Sequence, residues 1–120
     1  MVRVLLVGDL PSVGRILKMQ IELAGDLEVV GETGNKPDLL KLVLTSKPDV
    51  IIVDLDMIGM DAIATIRELQ LQNPVIPVIA IGLDENEILR LRARNAGAAD
   101  FIQKQANTSS LIAAIYHAAI

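Results

Sequence analysis

Cysteine and tryptophan are absent from the 120 residues, and histidine, phenylalanine and tyrosine occur once each, as His117, Phe101 and Tyr116. Without cysteine there is no disulfide frame, no zinc thiolate and no thiol nucleophile. A single histidine excludes a His-rich metal centre and makes a Ser-His-Asp triad a poor fit. With hydrophobic residues at 52% and so few aromatic ones, the core has to be aliphatic. The net charge is −4 and no run of basic residues occurs, which argues against direct nucleic-acid binding. No apolar stretch has the length of a membrane span. Gly8 and Asp9 interrupt the opening Met1-Val2-Arg3-Val4 too early for a signal peptide. The reading is one soluble, cytoplasmic domain over residues 1–120, with no membrane partner.

What is present centres on the stretch from Pro48 to Asp61. Val50 to Val53 is an unbroken β-branched run, the mark of a strand buried on both faces. It stops on Asp54, with Asp56 two residues on and Gly59 opening a loop. Ligands of open parallel sheets sit at the carboxyl ends of the strands. An aspartate there is held rigidly and exposed to chemistry, as a nucleophile or a metal ligand.

Val2 to Val7 is a first buried strand, and Pro11 suits the first turn of a helix. Ile16, Leu17, Ile21, Leu23 and Ala24 form that helix's expected core stripe, ended by Gly25. Leu27 to Glu32 is the most polar strand and suits a sheet edge. Asn35 and Pro37 open a second helix, with Leu39, Leu40, Val43 and Leu44 expected inward. A third helix spans Asp61 to Gln72, with Ile63, Ile66 and Leu69 inward, and stops before Pro74. Pro77 moves the start of the fourth strand to Val78. Asp84 to Glu87 reads as a capping box for a fourth helix that ends at Gly97. Ala99 to Gln103 is a fifth strand, and Asn107 to Ile120 a last helix with Leu111 and Ile115 inward. Five strands alternating with five helices give a doubly wound α/β domain with a parallel sheet.

In such a sheet the strand ends bring Gly8-Asp9, Asp54-Asp56, Gly82-Asp84 and Lys104 to one rim. Clustered carboxylates repel one another unless a cation sits between them, and oxygen ligands select a hard ion such as Mg²⁺. Lysine suits a phosphate as a point charge. Blander roles stay open: Asp9 as a helix cap, Asp56 and Asp84 as solvated loop acids, Phe101 as plain core, His117 as a surface residue.

The pieces Val4-Leu5-Leu6-Val7-Gly8-Asp9, Pro48 to Asp61, Pro77-Val78-Ile79-Ala80-Ile81-Gly82 and Ala96 to Lys104 resemble, in order and spacing, the receiver domain of two-component response regulators. The resemblance covers the whole chain. It implies a flavodoxin-like fold with strand order 2-1-3-4-5. It implies a place in phosphorelay signal transduction, with Asp54 accepting a phosphoryl group from a histidine kinase or phosphotransfer protein. Lys104 would contact the phosphoryl oxygens, and Mg²⁺ would be held by Asp9, Asp54 and the backbone carbonyl of Asp56. Phe101 would be the aromatic that reorients on activation. Such a domain is no enzyme beyond self-phosphorylation from a phosphodonor and autodephosphorylation. The chain ends where an output domain begins in longer regulators, so a fragment of one is expected. The fourth helix carries Arg90, Arg92 and Arg94, and the last helix offers Ala113, Ala114, Ala118, Ala119 and Ile120. A homodimer through the fourth helix, fifth strand and fifth helix is the corresponding expectation.

The chain also departs from the family's pattern. Gly8 replaces the first acid of the metal-binding pair, Gly82 a Thr or Ser, Ile58 a proline and Ala62 a glycine. Hydrogen bonds to charged groups are worth about 1.5–3 kcal/mol, so losing the hydroxyl at 82 weakens the switch about tenfold or more. The site is a degenerate one, with weak Mg²⁺ binding and impaired phosphoryl chemistry. A pseudoreceiver, keeping the fold as a phosphorylation-independent interaction module, is the alternative. Ile51 to Asp56 also fits the Asp-x-Asp motif of haloacid-dehalogenase-type phosphatases, but on the third strand rather than the first. Gly8 to Gly14 lacks the Gly-Lys-Ser/Thr ending of a P-loop.

Overall fold

The computed structural model describes residues 1–9, 11–83, 87–104 and 106–119. In chain order the elements are β1 (Val2–Val7), α1 (Pro11–Glu22), β2 (Leu27–Thr33), α2 (Lys36–Ser46), β3 (Val50–Asp54), α3 (Ala62–Gln72), β4 (Val78–Gly82), α4 (Glu87–Ala96), β5 (Asp100–Gln103) and α5 (Thr108–Ala119). The sheet is parallel in the order β2-β1-β3-β4-β5. This is the doubly wound, flavodoxin-like arrangement expected from the sequence, with β2 at an edge. The fourth strand begins at Val78, and the fifth at Asp100 rather than Ala99. The capping box at Asp84 to Asn86 lies outside the described residues, as does Ile120.

β3 and β4 are buried along their whole length, which is why they read as continuous apolar runs. Alternate side chains feed two cores. Leu5, Val7, Ile51 and Val53 pack with Leu39, Ile66, Leu69 and Ala93 from α2, α3 and α4. Val4, Leu6, Ile52 and Ile79 pack with Ile21, Leu111 and Ile115 from α1 and α5. Asn35 caps α2 by accepting from the Asp38 N–H, and Asp61 caps α3 by accepting from the Ala64 N–H. Each such cap contributes about 1 kcal/mol. Gly97 closes α4 at φ +119, and a Cβ there would lie 2.4 Å from Gln70 Cγ, so both the conformation and the space require glycine. Among the described residues no helix is long and apolar enough to cross a membrane.

Three helix faces correct the sequence reading. On α1, Ile21 and Leu17 reach the core, whereas Ile16 and Leu23 are exposed, at 57% and 79%. On α2, Leu39 and Val43 are buried but Leu44 is 75% exposed and Leu40 only partly covered. On α5, Ala114 faces inward with Leu111 and Ile115, so it cannot belong to an exposed association surface. Ala113 is the exposed neighbour. Ala114→Glu should therefore unfold the chain rather than separate copies of it. The expected loss is about 3 kcal/mol or more in a urea titration, against about 0.5 kcal/mol or less for Ala113→Glu.

Candidate functional site

Every strand of a parallel sheet presents its carboxyl end to the same rim, and four of them deliver the candidate residues. β1 runs into Gly8 and Asp9, β3 ends on Asp54, β4 ends on Gly82, and β5 is followed by Lys104. Backbone bonds fix these ends against each other. The Gly8 N–H donates to the Thr33 carbonyl at 2.8 Å, Leu55 N–H to the Ile81 carbonyl at 2.8 Å, and Lys104 N–H to the Gly82 carbonyl at 2.9 Å. Asp54 is the last residue of a strand paired on both sides, and it is only 4% exposed.

A buried carboxylate needs partners, and Asp54 has two. Its Oδ1 accepts from the Asp56 N–H at 2.8 Å and lies 2.9 Å from Lys104 Nζ. The same ammonium lies 3.1 Å from Asp56 Oδ2, and the Lys104 side chain is 9% exposed. Among the described residues it makes no aligned hydrogen bond beyond these two ion pairs. Burial disfavours its charge and is the largest single influence on it. The carboxylates of Asp54 and Asp56 more than offset that, so the Lys104 pKa ends above the ordinary lysine value. Asp56 Oδ2 also accepts from the Leu83 N–H at 2.8 Å. The Asp56 side chain thus belongs to the rim, where its place at a strand end put it among the clustered acids, whereas the family resemblance used only its carbonyl. Its bond to the Leu83 N–H, 27 residues away, is the part that carried no sequence signal.

Asp9 ties the neighbouring loop in. Its Oδ2 accepts from the N–H groups of Ile58 at 2.7 Å and Gly59 at 2.5 Å. The Gly59 bond lowers its pKa most, burial opposes this, and the Ile58 bond adds to the lowering. Gly34 closes the arrangement: a Cβ there would lie 2.8 Å from both Asp9 Cβ and the Gly8 carbonyl oxygen. The sequence held no signal for that packing beyond the glycine itself. Asp9 Oδ1 is buried with no hydrogen-bond partner among the described residues, an orphaned acceptor suited to a hard cation. Among the described residues, however, no three His, Cys, Asp or Glu side chains converge as a metal cage. Gly8 leaves room where another acid would stand, although a Cβ on it would press to 3.2 Å of Asp54 Cβ. A cavity of about 390 Å³ opens there, with Gly8, Asp9 and Asp54 above an apolar floor of Leu6, Leu17 and Ile52.

At the other end of the rim, Gly82 packs against an aromatic. A Cβ on Gly82 would lie 3.4 Å from the Phe101 ring carbons Cε2 and Cζ. The ring is buried, and the Arg90 guanidinium stands 5.2 Å from its centroid. Such stacking adds about 0.5–1 kcal/mol at a partly exposed site. His117 is exposed on α5 and Ile58 is 90% exposed, both away from the carboxylates as side chains.

The chain matches the response regulator receiver domain over residues 4–116. It is 34% identical over 116 residues to the response regulator GacA of Pseudomonas aeruginosa, covering 96% of this chain and 54% of that protein. It is 35% identical over 106 residues to a protein-glutamate methylesterase/protein-glutamine glutaminase of Methanospirillum hungatei, covering 87% of this chain and 30% of that protein. Among solved structures it is similar to the signal receiver domain of the putative response regulator NarL from Mycobacterium tuberculosis. There the TM-score is 0.89 at 26% identity, over 98% of this chain and 95% of that one. The chain therefore spans between about a third and about half the length of those curated relatives.

The Asp9 bonds set an acid response. A carboxylate whose folded pKa is depressed contributes stability above its unfolded value, about 3.9, and loses it as pH falls through the folded value. Urea midpoints in metal-free buffer should show a steeper loss below about pH 4 for the parent than for Asp9→Asn. Parallel acid limbs would count against the Ile58 and Gly59 bonds.

Proposed function

This chain belongs to the response regulator receiver family, and on that premise we propose that Asp54 is its phosphoryl acceptor, with Lys104 as the phosphoryl contact. The observation that carries the reading is a nearly buried carboxylate at a strand end with an ammonium 2.9 Å away. One oxygen of Asp54 attacks the phosphorus of a phosphohistidine on a histidine kinase or phosphotransfer protein. The P–N bond breaks, and the imidazole leaves with a proton. Hydrolysis of the acyl phosphate later returns inorganic phosphate and the free carboxylate. Lys104 counters the added charge, about 1.5–2 units, and the Asp56 N–H steadies the oxygen that stays with the side chain.

Asp9, Asp54 and the Asp56 carbonyl are the groups that would hold Mg²⁺, and the orphaned Asp9 Oδ1 supports that assignment. A bound dication supplies neutralisation of the phosphoryl oxygens. With Gly8 in place of an acid, and Lys104 already on Asp54, the metal is held weakly. Gly82 offers no hydroxyl to a phosphoryl group, and Phe101 sits packed against it under Arg90, so coupling to that ring is weak as well. We place residues 1–120 as one receiver domain of a longer cytoplasmic regulator with an output domain following it. The face of α4, β5 and α5 is the proposed homodimer or partner contact, and the domain itself does not bind nucleic acid. The methylesterase named for the Methanospirillum hungatei relative is not carried over, since the match covers 30% of that protein.

One observation favours the pseudoreceiver as a second reading. Lys104 already neutralises Asp54, and two N–H groups already hold Oδ2 of Asp9, so the acceptor carboxylate is paired with nothing bound. The phosphatase reading is set aside by the family match.

Acetyl phosphate with Mg²⁺ should add one phosphoryl group by intact mass, and Asp54→Ala should abolish it. Modification that survives in Asp54→Ala identifies a different acceptor, and none in the parent selects the pseudoreceiver. In calorimetry, Asp9→Asn should weaken Mg²⁺ binding about tenfold, from loss of one charged ligand. Equal affinity in parent and variant would remove Asp9 from the metal site.

A further inference from the structure

We propose that the carboxylate of Asp56 is a positioning residue that holds Lys104 against Asp54 and passes changes at Asp54 to the end of β4 through the Leu83 N–H. The origin of such changes rests on the acceptor reading above; the path itself rests on contacts of this chain alone. Gly82 has no side chain, so it meets the rim through its backbone. The Gly82 carbonyl accepts from the Lys104 N–H and the Ile81 carbonyl from the Leu55 N–H. Those are ladder-type bonds between backbone groups, indifferent to the charge state of the rim. The Leu83 N–H differs, because its acceptor is the charged Oδ2 of Asp56 at 2.8 Å.

That oxygen is shared. It lies 3.1 Å from Lys104 Nζ, which lies 2.9 Å from Asp54 Oδ1, which accepts from the Asp56 N–H at 2.8 Å. One ammonium therefore stands between two carboxylates, and the second carboxylate also holds the Leu83 N–H just beyond β4. A phosphoryl group on Asp54 draws the ammonium toward its own oxygens, since it carries the larger negative charge. Asp56 then keeps only the Leu83 N–H and stands beside a like charge. Its displacement moves Leu83, the residue that follows the glycine. Asp56 acts through Lys104 and touches no phosphoryl donor.

Amide NMR and hydrogen exchange on the 120-residue chain test this without phosphorylation. In the parent the Leu83 amide should exchange slowly, and Asp56→Ala should speed it about tenfold or more. Lys104→Met removes the cation in the way a phosphoryl group would draw it off, and should shift the Leu83 amide. In the Asp56→Ala background the same change should leave Leu83 where Asp56→Ala put it. Asp56→Asn, which keeps a neutral acceptor of the same shape, should restore slow exchange but not the response to Lys104→Met. That variant also decides the question should Asp56→Ala fail to fold.

Trifluoroberyllate with Mg²⁺ gives the second arm. In the parent it should shift Leu55 and Leu83 together; in Asp56→Asn the Leu55 shift should persist and the Leu83 shift should fall by at least about half. A Leu83 response to Lys104→Met that is equal with and without the Asp56 carboxylate overturns the proposal. If trifluoroberyllate moves no amide at all, the acceptor reading fails, and the Lys104 arm still decides whether Asp56 is the link.

Discussion

A single buried ammonium shared by two carboxylates sets the terms for the rest of the rim. Removing ions of this size from water costs several kcal/mol each, and the attraction between them offsets that only when the geometry is good and the remaining valences are met. Here they are met by main chain. Asp54 takes the Asp56 N–H, Asp56 takes the Leu83 N–H, and β5 delivers Lys104 through a bond to the Gly82 carbonyl. Each of these donors is fixed by a strand end or the residues just past it. The parallel sheet is therefore more than a platform for the charges. Its registers bring the N–H groups to the places where the carboxylates need them.

The same rim is crowded from the other side. Gly34 lets the loop after β2 lie directly on Asp9, and Gly59 lets the loop after β3 lie over the same carboxylate. The crowding is graded: a Cβ at 34 would lie 2.8 Å from Asp9 Cβ and the Gly8 carbonyl oxygen, at 59 it would lie 3.2 Å from Asp9 Oδ2 and at 8 3.2 Å from Asp54 Cβ, whereas at 82 it would make an ordinary contact with the Phe101 ring. Gly8 and Gly34 both line the cavity beside Asp54.

How much of this was legible in the sequence follows from how local each cause is. Val50 to Val53 and Val78 to Ile81 are buried on both faces, so composition alone marks them as strands. Asp9, Asp54 and Lys104 lie at strand ends, and the parallel order that collects them follows from alternation of elements. Helix faces were legible only in part. Ile16, Leu23 and Leu44 fit a helical period, yet a short helix rich in apolar residues offers more than one stripe. The sheet selects Leu17 and Ile21 on α1, and Leu39 and Val43 on α2. The bond from the Leu83 N–H to Asp56 and the fit of Gly34 were not legible, because each depends on a contact between loops far apart in the chain.

The Ile58 N–H, which donates to Asp9 Oδ2, makes two distant positions depend on one another. Proline has no such hydrogen to give, so Ile58→Pro would take from Asp9 Oδ2 one of the two N–H groups that this loop supplies. Ile58→Pro and substitutions of Asp9 are then non-additive, because each removes the same hydrogen bond, whereas any other residue at 58 keeps the donor. Moving one of these residues into a relative, or a relative's residue into this chain, transplants half of a pair.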